Sequence, residues 1–238
     1  MGAIAEAKSA LGELEPELRA SSRRSARALA EAILPASLVV WRGPEAHRQR
    51  RSSPGRVALT FDDGPTSLTP QYLAVLEQLG VRATFFVIGE LCAERPDLVA
   101  AIAAQGHELA GHGYTHRRFT ELSKSQLSEE LERTDALLPP SSTRRPLVRP
   151  PHGAVSVRSM LTCLSRGFTT VLWSFNSDDW CNKETAQVEE TFHERAAGAG
   201  EIVLLHEGQS WTMNALPTIV GTLEKAGHEL VTVGELLG

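Results

Sequence analysis

The sequence predicts an α/β fold, a distorted (β/α)7-8 barrel with an N-terminal helical extension, and three observations carry this. From Arg56 on, short β-rich runs alternate with helical segments, with glycines punctuating helix ends. The β-rich runs are continuously apolar rather than alternating, as in parallel strands covered on both faces. Each unusual polar cluster follows such a run, where a (β/α) barrel gathers its functional groups.

Residues 1–34 are rich in Ala, Glu, Leu and Arg, and Leu11, Leu14, Leu18, Leu29 and Ile33 form a loose apolar stripe. Helix is expected there, split near Pro16 and Ser21-Ser22. Arg23, Arg24 and Arg27 read as a solvated helix face. The polar, basic stretch 43–55 reads as a linker, giving an extension over 1–55 and a main domain over 56–238. In that domain strands are expected at Val57–Phe61, Ala83–Ile88, His107–Ala110, Thr169–Ser174, Ile202–Leu205 and Glu229–Val231. Helices are expected at Thr69–Leu79, Pro96–Gln105, Lys124–Leu138, Val157–Arg166, Glu184–Ala197 and Ala215–Ala226. Gly80, Gly106 and Gly167 stand just past helix ends, where a left-handed residue closes a helix. Leu147-Val148 leads into a Pro-Pro turn.

With 238 residues, 42% of them hydrophobic and 22% charged, the chain can bury a sizeable core in one domain plus an appendage. The net charge of -5 argues against a nucleic-acid partner and against an anionic membrane surface. No run approaches the ~18 apolar residues of a membrane span. Met1–Lys8 carries an early acid and no apolar core, so no secretory leader is read there. The expectation is a cytoplasmic protein, or a secreted or cell-envelope one if a leader has been lost. Cys92, Cys163 and Cys181 are far apart and lack CxxC spacing, which points to free thiols.

The polar clusters are Asp62-Asp63-Gly64-Pro65, His112-Gly-Tyr-Thr-His116, Arg149-Pro-Pro-His-Gly153, Asp178-Asp179-Trp180 and His206. Two adjacent carboxylates after an apolar strand are costly to bury unless a cation neutralises them. Successive residues at a strand end point in different directions, so one acid can ligate while the other acts as a base. His112 and His116, four apart, can share one cation. Two imidazoles and one carboxylate leave a position open for water, the pattern of catalytic rather than structural zinc.

Thr60-Phe-Asp-Asp-Gly-Pro65 resembles the first motif of the polysaccharide deacetylases, the NodB-homology domain of carbohydrate esterase family four. The other clusters follow in that family's order, and the resemblance spans Arg56 to Gly238. It implies a metal-dependent hydrolase that removes acetyl groups from an N- or O-acetylated carbohydrate such as chitooligosaccharide, peptidoglycan or exopolysaccharide. It implies Asp62 as catalytic base and Asp63, His112 and His116 as ligands of a divalent cation. Zinc suits that set, and cobalt, nickel or manganese can occupy such a site. It further implies Arg149 as the residue orienting the base, Asp179 as the acid paired with Arg149, and His206 as the general acid. Trp180, Leu204, Pro151 and His152 would line the substrate, Leu204 against the acetyl methyl and His152 through its backbone N–H. Alternatives are a deacetylase of a small N-acetylated metabolite, motivated by the absent leader, and a non-catalytic carbohydrate-binding module.

The chain departs from the family pattern at Gly113, where Ser or Thr is usual, at Gly111, commonly Asn, and at His152, commonly aromatic. Among the remaining candidates, His107 reads as structural and His47, His193 and His228 as solvent-facing. Asp178 competes with Asp179 for Arg149, and Trp180 favours Asp179. Trp173 reads as core. Trp211 either stacks on a sugar or caps the core.

Overall fold

The computed structural model describes residues 39–44, 54–195 and 197–238. The expected helical extension, with its arginines, and His47 lie outside the described residues.

The ten-residue strand β2 (Gly55–Gly64) is the axis of the sheet. Its lower half pairs with β9 (His228–Val231), its upper half with β8 (Ile202–His206), and its other edge with β3 (Thr84–Val87), all in parallel. Beyond β3 lie β4 (Glu108–Gly111), β5 (Leu147–Val148), β6 (Thr169–Val171) and β1 (Val39–Val40); β7 (Phe175–Asn176) flanks β8. Every named pairing is parallel, so the sheet is a curled half-barrel wrapped by helices, the α/β barrel architecture read from the sequence.

The helices are α1 (Thr69–Leu79), α2 (Gly89–Glu94), α3 (Pro96–Ala104), α4 (Lys124–Asp135), α5 (Val157–Ser165), α6 (Thr185–Glu194), α7 (Ser210–Lys225) and α8 (Val233–Leu237). Strand periodicity divides β2 between two cores. Val57, Leu59 and Phe61 face outward with Phe85, Val203 and Leu205 against Tyr72 and Leu76 of α1 and Leu216, Ile219 and Val220 of α7. Ala58 faces inward with Phe86, Ala110, Val171 and Ile202. Further up the same inward face stand Thr60 and Asp62, so the floor of the barrel is apolar and its rim polar.

Several boundaries differ from the sequence reading. Val39–Val40, placed in the extension, is a strand paired with β6. The strand expected over 169–174 is two strands. Leu172 N donates to Val40 O, whereas Ser174 N donates to Ile202 O, so the chain changes partner strands between them. The helix expected to begin at Ala215 begins at Ser210 and runs through Pro217. The helices expected to end at Leu138 and Ala197 end at Asp135 and Glu194. Two short helices, α2 and α8, were not anticipated; a Thr232–Glu235 capping box starts α8. His228, expected to face solvent, is buried because it opens β9 opposite Gly55. His193 is exposed. Cys92 and Cys163 are buried free thiols and Cys181 is an exposed one.

Candidate active site

Asp62 ends the inward face of β2 and is almost wholly buried. Arg149, which follows β5, crosses the barrel mouth to meet it and is itself fully buried. The Arg149 guanidinium donates to Asp62 Oδ1 at 2.6 Å, to Thr60 Oγ1 at 2.7 Å and to Leu172 O at 3.2 Å. It also stacks 3.9 Å over the Phe86 ring. Burial pushes the Arg149 pKa down while Asp62 opposes that shift. A buried pair of this kind fixes geometry, and removing one partner costs roughly 3–5 kcal/mol.

Asp63 leaves β2 with φ +72, and the β2–β3 register shifts between Asp62 and Gly64. That irregularity turns Asp63 away from Asp62 and toward the loop after β4. Its Oδ1 lies 3.4 Å from His112 Nε2 and 3.1 Å from His116 Nε2. His112 Nδ1 is 2.8 Å from the Arg149 carbonyl oxygen, an acceptor only, so Nδ1 carries the proton and Nε2 presents a lone pair. The Asp63 Oδ1 atom is buried and accepts no hydrogen bond. Two acceptor atoms, Asp63 Oδ1 and His112 Nε2, thus face each other, and with a ring nitrogen of His116 the three candidate ligand atoms lie within 4.8 Å of one another. A divalent cation fits this donor set of two nitrogens and one oxygen. Asp62 Oδ2, at 3.8 Å from His112 Nε2, stands beside this group.

Opposite, His206 ends β8 directly beside Asp62 in register. Asp179 is fully buried and accepts from His206 Nδ1 at 2.7 Å, from His206 N at 2.8 Å and from Thr212 Oγ1 at 2.8 Å. This corrects the pairing of Asp179 with Arg149. Asp179 follows β7, which pairs with β8, so the basic group within its reach is His206. Asp178 is no competitor: it binds Arg195 at 3.0 Å and Asn176 Nδ2 at 2.6 Å. Burial opposes charging of His206, but the hydrogen bond and charge of Asp179, with Asp62 and Asp63 behind it, raise its pKa above the ordinary value.

The remaining candidates fall around this centre. Leu204 lies buried one inward step below His206, paired with Thr60. Pro151 is buried, and the His152 ring lies 4.7 Å from that of His116. The His152 pKa is lowered, by burial first and then by His116, Arg118 and His112. Trp180 is 58% exposed. Trp211 lies in α7 and donates from Nε1 to Asp179 O at 2.9 Å, which favours the capping role. Trp173 packs, partly buried, against two core clusters. His107 is structural: buried, it accepts from Ala83 N, and burial with nearby Arg82 lowers its pKa to about 4.

Sequence reasoning missed Thr60, Thr212, Glu130 and Glu207. The Glu207 carboxylate accepts from Thr66 N at 3.0 Å and from the Thr66 hydroxyl at 3.1 Å, and the Thr69 hydroxyl also donates to it. Its own N–H donates to Asp62 O at 2.8 Å, so it braces the turn that carries both aspartates. Thr60 had a signal: it is a polar residue two before Asp62 on an otherwise apolar strand. Glu130 had one too, lying on the buried stripe of α4 with Leu127, Leu131 and Thr134.

Residues 49–171 match the family model for polysaccharide deacetylase. A peptidoglycan-N-acetylglucosamine deacetylase of Bacillus cereus is 34% identical over 88% of this chain and 97% of its own length. Among solved structures, a peptidoglycan N-acetylglucosamine deacetylase superposes with TM-score 0.75 at 26% identity, over 84% of this chain and 92% of that one. A family 4 carbohydrate esterase from Streptomyces lividans, in complex with acetate, gives TM-score 0.67 at 34% identity, over 73% and 90%. The deacetylases of this family are metal-dependent and act on carbohydrates, in keeping with the Asp63–His112–His116 group. This chain, with its paired aspartates on β2 and its histidines after β4 and at the end of β8, belongs to the polysaccharide deacetylase family.

Proposed function

We propose that this carbohydrate deacetylase hydrolyses the N-acetyl group of an N-acetylglucosamine unit in a peptidoglycan- or chitin-type glycan, with zinc held by Asp63, His112 and His116. The relatives' substrates support the sugar. The observation that carries the reaction is the placing of two separate devices, Asp62–Arg149 and Asp179–His206, on either side of one cation-binding group.

Bound there, a divalent cation polarises the acetyl carbonyl and acidifies water. Asp62, aimed by Arg149 through Oδ1, keeps Oδ2 toward the ligands and takes the proton of the attacking water. The backbone N–H of His152 donates to the developing oxyanion. His206, with Nδ1 committed to Asp179, protonates the leaving amine from Nε2. Leu204 supplies an apolar wall for the methyl group and exposed Trp180 a face for the sugar. A non-catalytic binding module would not need a buried ionised pair beside a cation-binding group.

The test is release of acetate by the zinc-loaded protein from peptidoglycan fragments and from chitooligosaccharides. Acetate from at least one, with a free amine left on the sugar, is expected. No acetate from either, with zinc bound, refutes the reading; release from an O-acetylated glycan only would make the enzyme an esterase.

A further inference from the structure

We infer that Glu130 is a positioning residue for the cation-binding group, clamping the loop that joins its two histidines. Glu130 sits on α4, outside every motif of the site, yet it is only 8% exposed. Its Oε2 accepts from Tyr114 N at 2.6 Å and from Thr115 N at 2.8 Å; its Oε1 accepts from Thr115 Oγ1 at 2.6 Å. Three of the loop's donors therefore end on one carboxylate.

The convergence has a backbone cause. Gly113 has φ +78, and the N–H groups of the next two residues point together into a small concavity that suits an anion. A Cβ at Gly113 would stand 3.2 Å from Phe119 and 3.4 Å from Glu130 Oε2. Serine or threonine, usual here in the family, would meet both crowding and a strained φ. This chain does without that hydroxyl and fixes the loop from α4.

The loop's carbonyls are held from the other side. Gly89 N donates to Gly113 O and Glu90 N to Tyr114 O, both at 3.0 Å, from the N-terminus of α2. Arg133, three residues after Glu130, covers the Tyr114 ring at 3.6 Å. Within the loop only the two histidine side chains are left to the site. His116 has φ +57, a conformation a free loop would readily abandon. Holding it keeps His116 Nε2 near Asp63 Oδ1 before any cation arrives. Glu130 thus acts through the ligands rather than on substrate, as outer partners of metal sites do.

The inference rests on the metal reading of the site, and one experiment separates the two. Zinc affinity is measured by competition with a chromogenic chelator for the wild-type protein, Glu130→Ala, Glu130→Gln and Thr115→Val, each at a temperature where it is fully folded. Glu130→Ala should bind zinc about 10–100-fold more weakly. Glu130→Gln should recover most of that, because its carbonyl can accept both amides and its NH2 can donate to Thr115 Oγ1. Thr115→Val, which removes one of three contacts, should show a smaller loss, and saturating zinc should restore turnover to Glu130→Ala. Wild-type zinc affinity in folded Glu130→Ala, or equal loss in the Ala and Gln variants, overturns the clamp. Should Glu130→Ala not fold, unchanged affinity in Thr115→Val does so. A wild-type protein that binds no zinc overturns the metal reading itself.

Discussion

Replacing Asp179 by asparagine changes one oxygen into an NH2 group inside a site with no solvent to compensate. Asp179 Oδ2 accepts from His206 N and Thr212 Oγ1, and Oδ1 accepts from His206 Nδ1. Asparagine has one acceptor oxygen, and the two donors at Oδ2 claim it. Its NH2 then faces His206 Nδ1, which must become an acceptor, so the imidazole proton moves to Nε2 and the ring loses its anionic partner. The charged form of His206 loses a hydrogen bond to a charge, about 1.5–3 kcal/mol. The raised His206 pKa should fall, because Asp179 is the main influence that raises it against burial. His206 works as an acid only while protonated, so activity is lost as pH rises through its pKa. The alkaline limb of the pH profile should therefore move to lower pH by about one to two units. The rate at neutral pH should drop about 10²–10⁴-fold, the usual worth of a positioned general acid. Acetate release across pH 5–10 measures both, with zinc content as a control. A slower variant whose alkaline limb stays in place would show that Asp179 does not set the acidity of His206 and is only a brace for β7 and α7.

Asp62→Asn should abolish turnover, by about 10²-fold or more, yet keep one zinc per chain on elemental analysis, because Asp62 stands beside the ligand group; loss of zinc would mean the two aspartates have exchanged roles. Trp180→Ala should leave the melting temperature unchanged, because the ring is 58% exposed, and raise KM for an oligosaccharide more than it lowers kcat. Chelation should abolish activity and lower the melting temperature. With free zinc at a hundred times Kd the lost stabilisation is about 2.7 kcal/mol, or about 5–10 °C for a domain of this size, read by calorimetry with and without chelator.

The parts of the fold that sequence reveals are those where local pattern and tertiary role agree. Continuous apolar runs became buried parallel strands, and Gly80 and Gly167, both at positive φ, stand just past α1 and α5. The failures have particular causes. Pro217 is disfavoured inside a helix, so a pattern reading puts it in a first turn, but α7 carries it seven residues in because Leu216, Ile219 and Val220 hold the helix on the core. The run Thr169–Ser174 looks like one strand, but it passes from β1 to β8 as its hydrogen-bond partner, and no local signal marks the change. The His112–His116 pair beside two adjacent aspartates was legible as a candidate cation site from residue type and spacing, while the choice of Asp63 over Asp62 came from the family resemblance. The partner of Asp179 was not, since it depends on which strand β7 lies beside, and that is a fact of sheet order.

The backbone of the site explains why its motifs are so compact in sequence. Among the described residues, the non-glycine positions with φ in the left-handed region are Asp63, His116, His152 and Asp178. Two are ligand candidates, one is the substrate-lining candidate His152 and one flanks Asp179. Asp and His tolerate this region better than most residues, at a cost of about 1–3 kcal/mol where context imposes it. The cost has a use. On a regular strand Asp62 and Asp63 would face opposite sides of the sheet, one into the barrel and one into the helices. Left-handed Asp63 instead keeps both carboxylates on the rim beside one imidazole, with Asp62 Oδ2 and Asp63 Oδ1 at 3.8 Å and 3.4 Å from His112 Nε2. The restraints that hold these conformations come from outside the motifs. Glu207 grips the turn after Asp63, Glu130 grips the loop before His116, and both are buried carboxylates fixed by backbone amides and hydroxyls. The motif thus supplies the chemistry, and two acids from neighbouring elements supply the geometry that the motif's own backbone would not keep.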